Sequence, residues 1–115
     1  FIEKPWLGHG LRQSYIILNI EPHNDYLRVL LELGVIGLLQ FLWIIYLMLS
    51  NTYIAIKHSI PHTFINKLST AFFCMYLAYL VMSISDNLFT SLVIQYPVWG
   101  FAAIIHRNTQ LQLKS

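Results

Sequence analysis

The sequence predicts an all-α integral membrane protein with about three transmembrane helices, and two observations lead to this fold class. First, 57% of the 115 residues are apolar and only 10% are charged, whereas a soluble domain carries about 25% charged residues. Second, the apolar residues form three stretches without a formal charge, at 33–56, 68–85 and 87–105. A bilayer core of about 30 Å is crossed by about 20 helical residues, so each stretch is close to the length of one membrane span.

The three stretches divide the chain into six segments. We expect a polar loop end at 1–22, an interfacial helix that continues into a transmembrane helix at 23–57, a connecting loop at 58–67, transmembrane helices at 68–86 and 87–106, and a polar tail at 107–115. Pro22 fits the first position of the first helix, because a backbone N–H has no helical partner there. A chain that begins inside a polar segment, without Met, is expected to be the C-terminal part of a longer protein.

The distribution of charge predicts the orientation. The positive-inside rule counts Lys and Arg, which are enriched in cytoplasmic loops. One side of the predicted topology carries four of the seven basic residues and none of the five acids, and these four are Lys57, Lys67, Arg107 and Lys114. The rule therefore places the loop 58–67 and the tail 107–115 in the cytoplasm, and residues 1–33 outside it.

The composition argues against several other functions. A net charge of +2 is too small to indicate nucleic-acid binding. The lone Cys74 has no disulfide partner within the chain. His58 and His62 are four residues apart, but Pro61 lies between them and no Cys or carboxylate is nearby to complete a metal site. The chain also lacks a Gly-rich phosphate loop, so we predict no metal, no cofactor and no nucleic-acid partner.

One dense polar cluster is the candidate for chemistry, and it consists of residues 23–28 (HNDYLR) followed by Glu32. In the first turn of the predicted helix, His23 would lie at the positive helix end, which disfavours imidazolium and leaves a neutral base. The alternative is a capping or surface histidine. Arg28 and Glu32 form an i, i+4 pair, for which a solvated face is the ordinary interpretation.

Two further features of the sequence, an acid between two predicted spans and a pair of glycines in the first helix, each have two interpretations. Asp86, between two predicted spans, is either exposed in a tight turn with Asn87, which we favour, or functional. Gly34 and Gly37 lie on roughly one helical face, where they would let a neighbouring helix approach closely or would only soften the helix.

Two sequence motifs together resemble a known family. PWLGHG at residues 5–10, followed by HNDYLRVLLELGVIGLL at 23–39, resembles the C-terminal signature of the O-antigen ligase and O-antigen polymerase family. These are bacterial multi-pass membrane proteins that handle undecaprenyl-linked glycans. The family pattern is Pro-x-x-Gly-x-Gly, and then His with Asn, Ser or Gln, nine residues, Gly, two residues and often Gly. The residues that match it are Pro5, Gly8, Gly10, His23, Asn24, Gly34 and Gly37, with Leu27 and Glu32 at its commoner interior positions.

The resemblance implies a fold, a location and residue roles. It implies a GT-C-like protein of about ten to twelve helices in the bacterial inner membrane, with the motif loop on the periplasmic side. His23 would be the catalytic base or would orient the acceptor, and Asn24 would contact substrate or orient His23. Arg12 and Arg28 are candidates for holding the diphosphate. The remaining motif residues (Pro5, Gly8, Gly10, Glu32, Gly34 and Gly37) would be structural, and the transfer would need no metal.

The implied function is a membrane glycosyltransferase that transfers or polymerises an undecaprenyl-diphosphate-linked glycan, either O-antigen or exopolysaccharide. Its partners would be that donor, an acceptor that is a glycan or the lipid A core, and the bilayer. Ligase and polymerase remain open. The alternative is a non-catalytic membrane subunit or an inactive remnant. A small transporter ranks last, because it would need ionisable residues inside the spans.

Overall fold

The structure, a computed structural model, describes residues 5–11, 13, 16, 19 and 22–114. Three α-helices follow one another, and they are α1 (Asp25–His58), α2 (Phe64–Met82) and α3 (Leu92–Lys114), with a 3-10 turn at Leu88–Thr90 before α3. Each helix packs against the other two, and the bundle measures 52 × 23 × 18 Å. The prediction of an all-α fold is confirmed for this part of the chain, which contains no strand.

Helix α1 begins later than the sequence predicts. Asn24 is the N-cap: its backbone is extended, and its side-chain oxygen accepts a hydrogen bond from the N–H of Leu27 at 2.9 Å. This bond satisfies one of the N–H groups that have no helical partner in a first turn. The predictions that Pro22 opens the helix and that His23 lies in its first turn are therefore wrong, since both residues precede the cap.

Helix α1 is interrupted at Gly34, whose φ of 71° and ψ of −169° lie far from helical values. The interruption divides α1 into a short arm, residues 25–33, and a long apolar part, residues 35–58. A positive φ of this kind is readily adopted only by glycine. The glycine at this position is thus required by the backbone itself.

The loop 5–10 hydrogen-bonds to both sides of this interruption. On the arm side, the N–H of His9 donates to the carbonyl of Leu31 at 3.1 Å, and the N–H of Gly10 donates to the carbonyl of Glu32 at 2.9 Å. In an unbroken helix these two carbonyls would accept from the residues four positions further on. The loop therefore supplies the donors that the interruption removes.

The same loop supplies acceptors on the other side. The N–H of Val35 donates to the carbonyl of Pro5 at 2.9 Å, and the N–H of Ile36 donates to the carbonyl of Trp6 at 3.3 Å. Four main-chain hydrogen bonds thus join residues 5–10 to residues 31–36, and we call this arrangement the loop–helix junction.

Two glycines face each other at the junction. A Cβ added to Gly8 would lie 2.6 Å from the nitrogen of Gly34, and a Cβ added to Gly34 would lie 2.6 Å from the nitrogen of Gly8. A Cβ on Gly37 would collide with the Leu33 side chain of its own helix. Of the two interpretations for Gly34 and Gly37, neither describes the contacts: Gly34 admits the loop 5–10 rather than a neighbouring helix, and Gly37 makes room for Leu33.

The connection between α1 and α2 is short. Ser59 ends α1, with its N–H bonded to the carbonyl of Ala55 at 3.0 Å, and Thr63 caps α2. The side-chain amide of Asn66 donates to Ser59 Oγ at 2.9 Å and to the carbonyl of Ile56 at 3.2 Å. Helix α2 consequently starts at Phe64, four residues before the predicted span 68–86.

Two of the helices, α1 and α2, are long and apolar enough to cross a membrane. Helix α3 continues to Lys114 and so includes most of the stretch 107–115 that the sequence predicts as a tail. It is long enough for a span, but it carries polar residues such as Gln95, Arg107 and Gln110. The third crossing at 87–106 stays a prediction.

The three helices share an apolar core. It is composed of Ile45, Met48, Ala55, Phe72, Tyr76, Tyr79, Val98 and Ile105. Many other large apolar side chains point outward, among them Leu39, Trp43 and Val81, which are 61%, 60% and 67% exposed. Such surfaces are unfavourable in water, and they fit contact with lipid or with further helices.

Alanine substitution at the junction glycines should destabilise the fold. We expect Gly8→Ala and Gly34→Ala each to lower the free energy of unfolding by about 1–3 kcal/mol or more, since a non-glycine residue at positive φ is strained and its Cβ would meet backbone. The measurement is the thermal unfolding midpoint in detergent micelles, followed by loss of helical circular dichroism.

Gly100→Ala is the matched control, because a Cβ there meets no atom within 4 Å. Alanine is favoured over glycine inside a helix by about 1 kcal/mol, so this variant should unfold at an equal or higher temperature. Equal midpoints for Gly34→Ala and Gly100→Ala would contradict the geometry of the junction.

Candidate functional site

The candidate site lies at the end of the bundle where α1 begins, α2 ends and α3 starts. His23 is exposed and directly precedes the Asn24 cap. The chain between α2 and α3, residues 83–91, is hydrogen-bonded to the first residue of α1 and is called here the α2–α3 turn. Two α1 residues, Asp25 and Tyr26, contact this turn or the last turn of α2.

Asp25 makes the closest connection between α1 and the α2–α3 turn. It is the first residue of α1 and only 2% exposed. Its N–H donates to the carbonyl of Ser83 at 3.0 Å, and its Oδ2 accepts from the N–H of Phe89 at 2.9 Å. The buried carboxylate thus has a hydrogen-bond donor in the N–H of Phe89, as a buried polar group requires.

A cluster of aromatic side chains packs between the first part of α1, the end of α2 and the α2–α3 turn. The Tyr26 hydroxyl donates to the carbonyl of Leu80 at 3.0 Å. The ring of Phe41 lies edge-on to Tyr26 and to Phe89, with centroid distances of 5.8 Å and 4.7 Å. Tyr79 contacts Phe89 edge-on at 4.8 Å. Edge-to-face packing of this kind adds to the burial of apolar area and fixes the arm of α1 over the end of α2.

Arg28 and Glu32 form an ion pair that is largely buried. Arg28 Nε lies 3.3 Å from Glu32 Oε1, and the two side chains are 15% and 7% exposed. The expectation of a solvated face is therefore wrong, because the loop 5–10 lies against the arm and bonds to the carbonyl of Glu32 itself. The pair lies on the arm between the candidate site and the loop–helix junction, to which Glu32 belongs through its carbonyl.

The structure brings together most of the predicted site residues that it describes. His23 and Asn24 precede the arm, Arg28 and Glu32 lie on it, and Gly34 ends it. Asn24 has a structural task as the cap. Pro5, Gly8, Gly10 and Gly37 belong to the junction or lie beside it. Arg12 lies outside the described residues, as does most of the segment 11–21.

The turn interpretation of Asp86 is confirmed. Asp86 is exposed in the chain between α2 and α3, and its Oδ1 accepts from the N–H of Asn87 at 2.7 Å. His58 and His62 lie at the far end of the bundle, at the end of α1 and in the following loop. Within the described ranges no three His, Cys, Asp or Glu side chains are grouped so that they could hold a metal ion.

Sequence reasoning missed Asp25 as a site residue. A local signal existed, because an acid in the first turn complements the helix dipole and the chain has only five acids. That signal does not indicate burial, since the partner of Asp25 is Phe89, 64 residues further along the chain.

Comparison with known proteins gives one informative similarity. The chain is similar to a protein of Rickettsia conorii named "Putative polysaccharide ligase", with 31% identity over an alignment that covers 85% of this chain and 26% of that protein. The chain thus spans about a quarter of the length of the curated relative that it matches. No family model matches the chain, and no solved structure matches it. The similarity supports a polysaccharide ligase-like family.

Loss of the Asn24 cap should destabilise α1. We expect Asn24→Ala to lower the free energy of unfolding by about 1 kcal/mol, since the N–H of Leu27 loses its acceptor. Asn24→Asp keeps an acceptor at this position and should remain close to the original stability. The measurement is again the unfolding midpoint in micelles, and an unchanged midpoint for Asn24→Ala would show that the cap does not contribute.

Proposed function

We propose that this chain is the C-terminal part of a membrane glycosyltransferase that transfers or polymerises a glycan carried on undecaprenyl diphosphate. The observation that carries the proposal is the placement of His23. The histidine is exposed and directly precedes the Asn24 cap of α1, and the arm that follows this cap is connected to both the loop–helix junction and the α2–α3 turn. The similarity to a polysaccharide ligase-like protein supports the same class of reaction.

His23 would act as the general base of the transfer. Its imidazole accepts the proton from a hydroxyl of the acceptor sugar. The hydroxyl oxygen then forms a bond to the anomeric carbon of the donor glycan. The bond between that carbon and the diphosphate oxygen breaks, and undecaprenyl diphosphate leaves with the electron pair.

Cationic side chains would stabilise the departing diphosphate. Arg28 is the described candidate on the arm, and its ion pair with Glu32 restricts the orientation of the guanidinium. Arg12 is the second candidate, carried over from the family resemblance. The Oδ1 of Asn24 is used by the helix cap. Asn24 would therefore contact substrate or orient His23 through its other atoms.

The proposed location is the bacterial inner membrane, with α1, α2 and, as a third span, α3 crossing the bilayer. The basic residues Lys57, Lys67 and Arg107 would then lie in the cytoplasm, and His23 would lie on the periplasmic side. The donor would reach His23 from the outer leaflet. The acceptor is either the lipid A core, for a ligase, or a growing glycan, for a polymerase.

A non-catalytic subunit or an inactive remnant is the second candidate. The observation that favours it is the engagement of Arg28 by Glu32, because a purely structural arm would show the same ion pair. The two candidates differ in whether glycan transfer depends on the side chain of His23.

Replacing His23 should abolish transfer without removing the protein. We expect His23→Ala, made in the complete open reading frame that encodes this chain, to eliminate long-chain surface glycan on a gel while the membrane level of the protein is unchanged. His58→Ala is the matched control, because His58 is exposed at the opposite end of the bundle; it should leave the glycan unchanged.

The intermediate that accumulates would separate the two enzymes. Full-length glycan on undecaprenyl diphosphate would indicate a ligase, and single repeat units would indicate a polymerase. An unchanged glycan ladder in His23→Ala would refute the catalytic role and favour the structural candidate.

A further inference from the structure

We propose that Asp25 is a positioning residue that holds His23 in its working place, and this inference rests on the function proposed above. Asp25 is 2% exposed, and no step of the transfer uses its carboxylate. Burial of a carboxylate costs free energy unless donors and opposite charges compensate. Asp25 follows the proposed base, His23, by two residues. Its burial is explained if its carboxylate fixes the position of His23.

The contacts of Asp25 fit this role because they reach two points of the α2–α3 turn. The main-chain N–H of Asp25 bonds to Ser83, at the start of the turn, and its carboxylate bonds to the N–H of Phe89, near the end of the turn. Ser83 is itself fully buried, and its hydroxyl donates to the carbonyl of Tyr79 at 2.9 Å. Asp25 is therefore bonded to a well-packed part of the bundle.

The position of Asp25 constrains the position of His23, because the two residues are close along the chain. Two residues of chain span at most about 7 Å, so a shift of the first residue of α1 moves His23 as well. Pro22 restricts the backbone on the other side of His23 through its fixed φ. The backbone N–H and the side chain of Asp25 thus make the described tertiary contacts that lie nearest to His23 along the chain, and the side-chain contact is the one that a substitution can remove.

A small displacement of a base has a large effect on rate. A misplacement of about 1 Å can reduce a reaction rate by about 100-fold. Asp25→Ala removes the acceptor for the N–H of Phe89 and leaves the main-chain bond to Ser83. We therefore expect it to reduce the rate of glycan transfer by about 10- to 100-fold.

The test measures the rate at which long-chain glycan appears after induction, divided by the membrane level of the protein, with all variants made in the complete open reading frame. Asp25→Asn keeps an oxygen that can accept from Phe89, so its rate should stay within about threefold of the original, a change of less than 1 kcal/mol. His58→Ala is the control, because it removes an exposed polar side chain at the opposite end of the bundle; its rate should be unchanged.

A double variant separates positioning from a general loss of folded protein. His23→Gln alone should lower the rate, and adding Asp25→Ala should cause no further loss, because a missing base cannot be misplaced. If the two losses multiply instead, Asp25 acts on the fold as a whole and the positioning role is refuted. A rate for Asp25→Asn as low as that for Asp25→Ala would also refute it.

The outcome distinguishes this inference from the proposed function. If transfer requires His23 but Asp25→Ala transfers at the original rate, only the positioning role fails. If His23→Ala and His23→Gln both transfer normally, the proposed function fails, and the role of Asp25 fails with it.

Discussion

The interruption of α1 at Gly34 is the constraint on which the rest of this structure depends. It leaves two carbonyls and two N–H groups without helical partners, at Leu31, Glu32, Val35 and Ile36, and the loop 5–10 satisfies all four. An amide group that is buried in apolar surroundings without a partner costs about 2–7 kcal/mol. The loop is therefore held against the helix by the hydrogen-bonding requirement of the backbone, and Gly8 and Gly34 permit the close approach.

The arm between this interruption and His23 is held at both of its ends. At its C-terminal end lies the loop–helix junction, and at its N-terminal end Asp25 bonds to the α2–α3 turn. The Arg28–Glu32 pair lies between the two, shielded from solvent on one side by the loop. Because this short helix is fixed at both ends, it restricts the position of the residues just before it, including His23. Catalysis by positioning requires reacting groups that are held in this way.

Several polar side chains within the bundle are also hydrogen-bonded, whereas the buried Ser69 Oγ has no hydrogen-bond partner among the residues that the structure describes. The amide of Gln95 donates to the Tyr79 hydroxyl at 2.6 Å and accepts from Trp99 Nε1 at 2.9 Å. The hydroxyl of Thr52 donates to the carbonyl of Met48 at 2.8 Å within α1. Helices that pack in a membrane use such hydrogen bonds between and within helices, while their outward faces remain apolar.

The sequence by itself determined the helical fold class, because long uncharged stretches allow few alternatives to helices. The resemblance of its motifs to a family pattern also identified His23, Asn24, Gly8 and Gly34 as residues of interest. The tertiary structure alone decided that Gly34 breaks a helix, that Arg28 and Glu32 are buried, and that Asp25 reaches Phe89. The physical reason is distance along the chain: periodicity reports contacts between residues three or four positions apart. The bonds that shape this site join residues that are more than 20 positions apart, and only the packing of the loop and the helices brings them together.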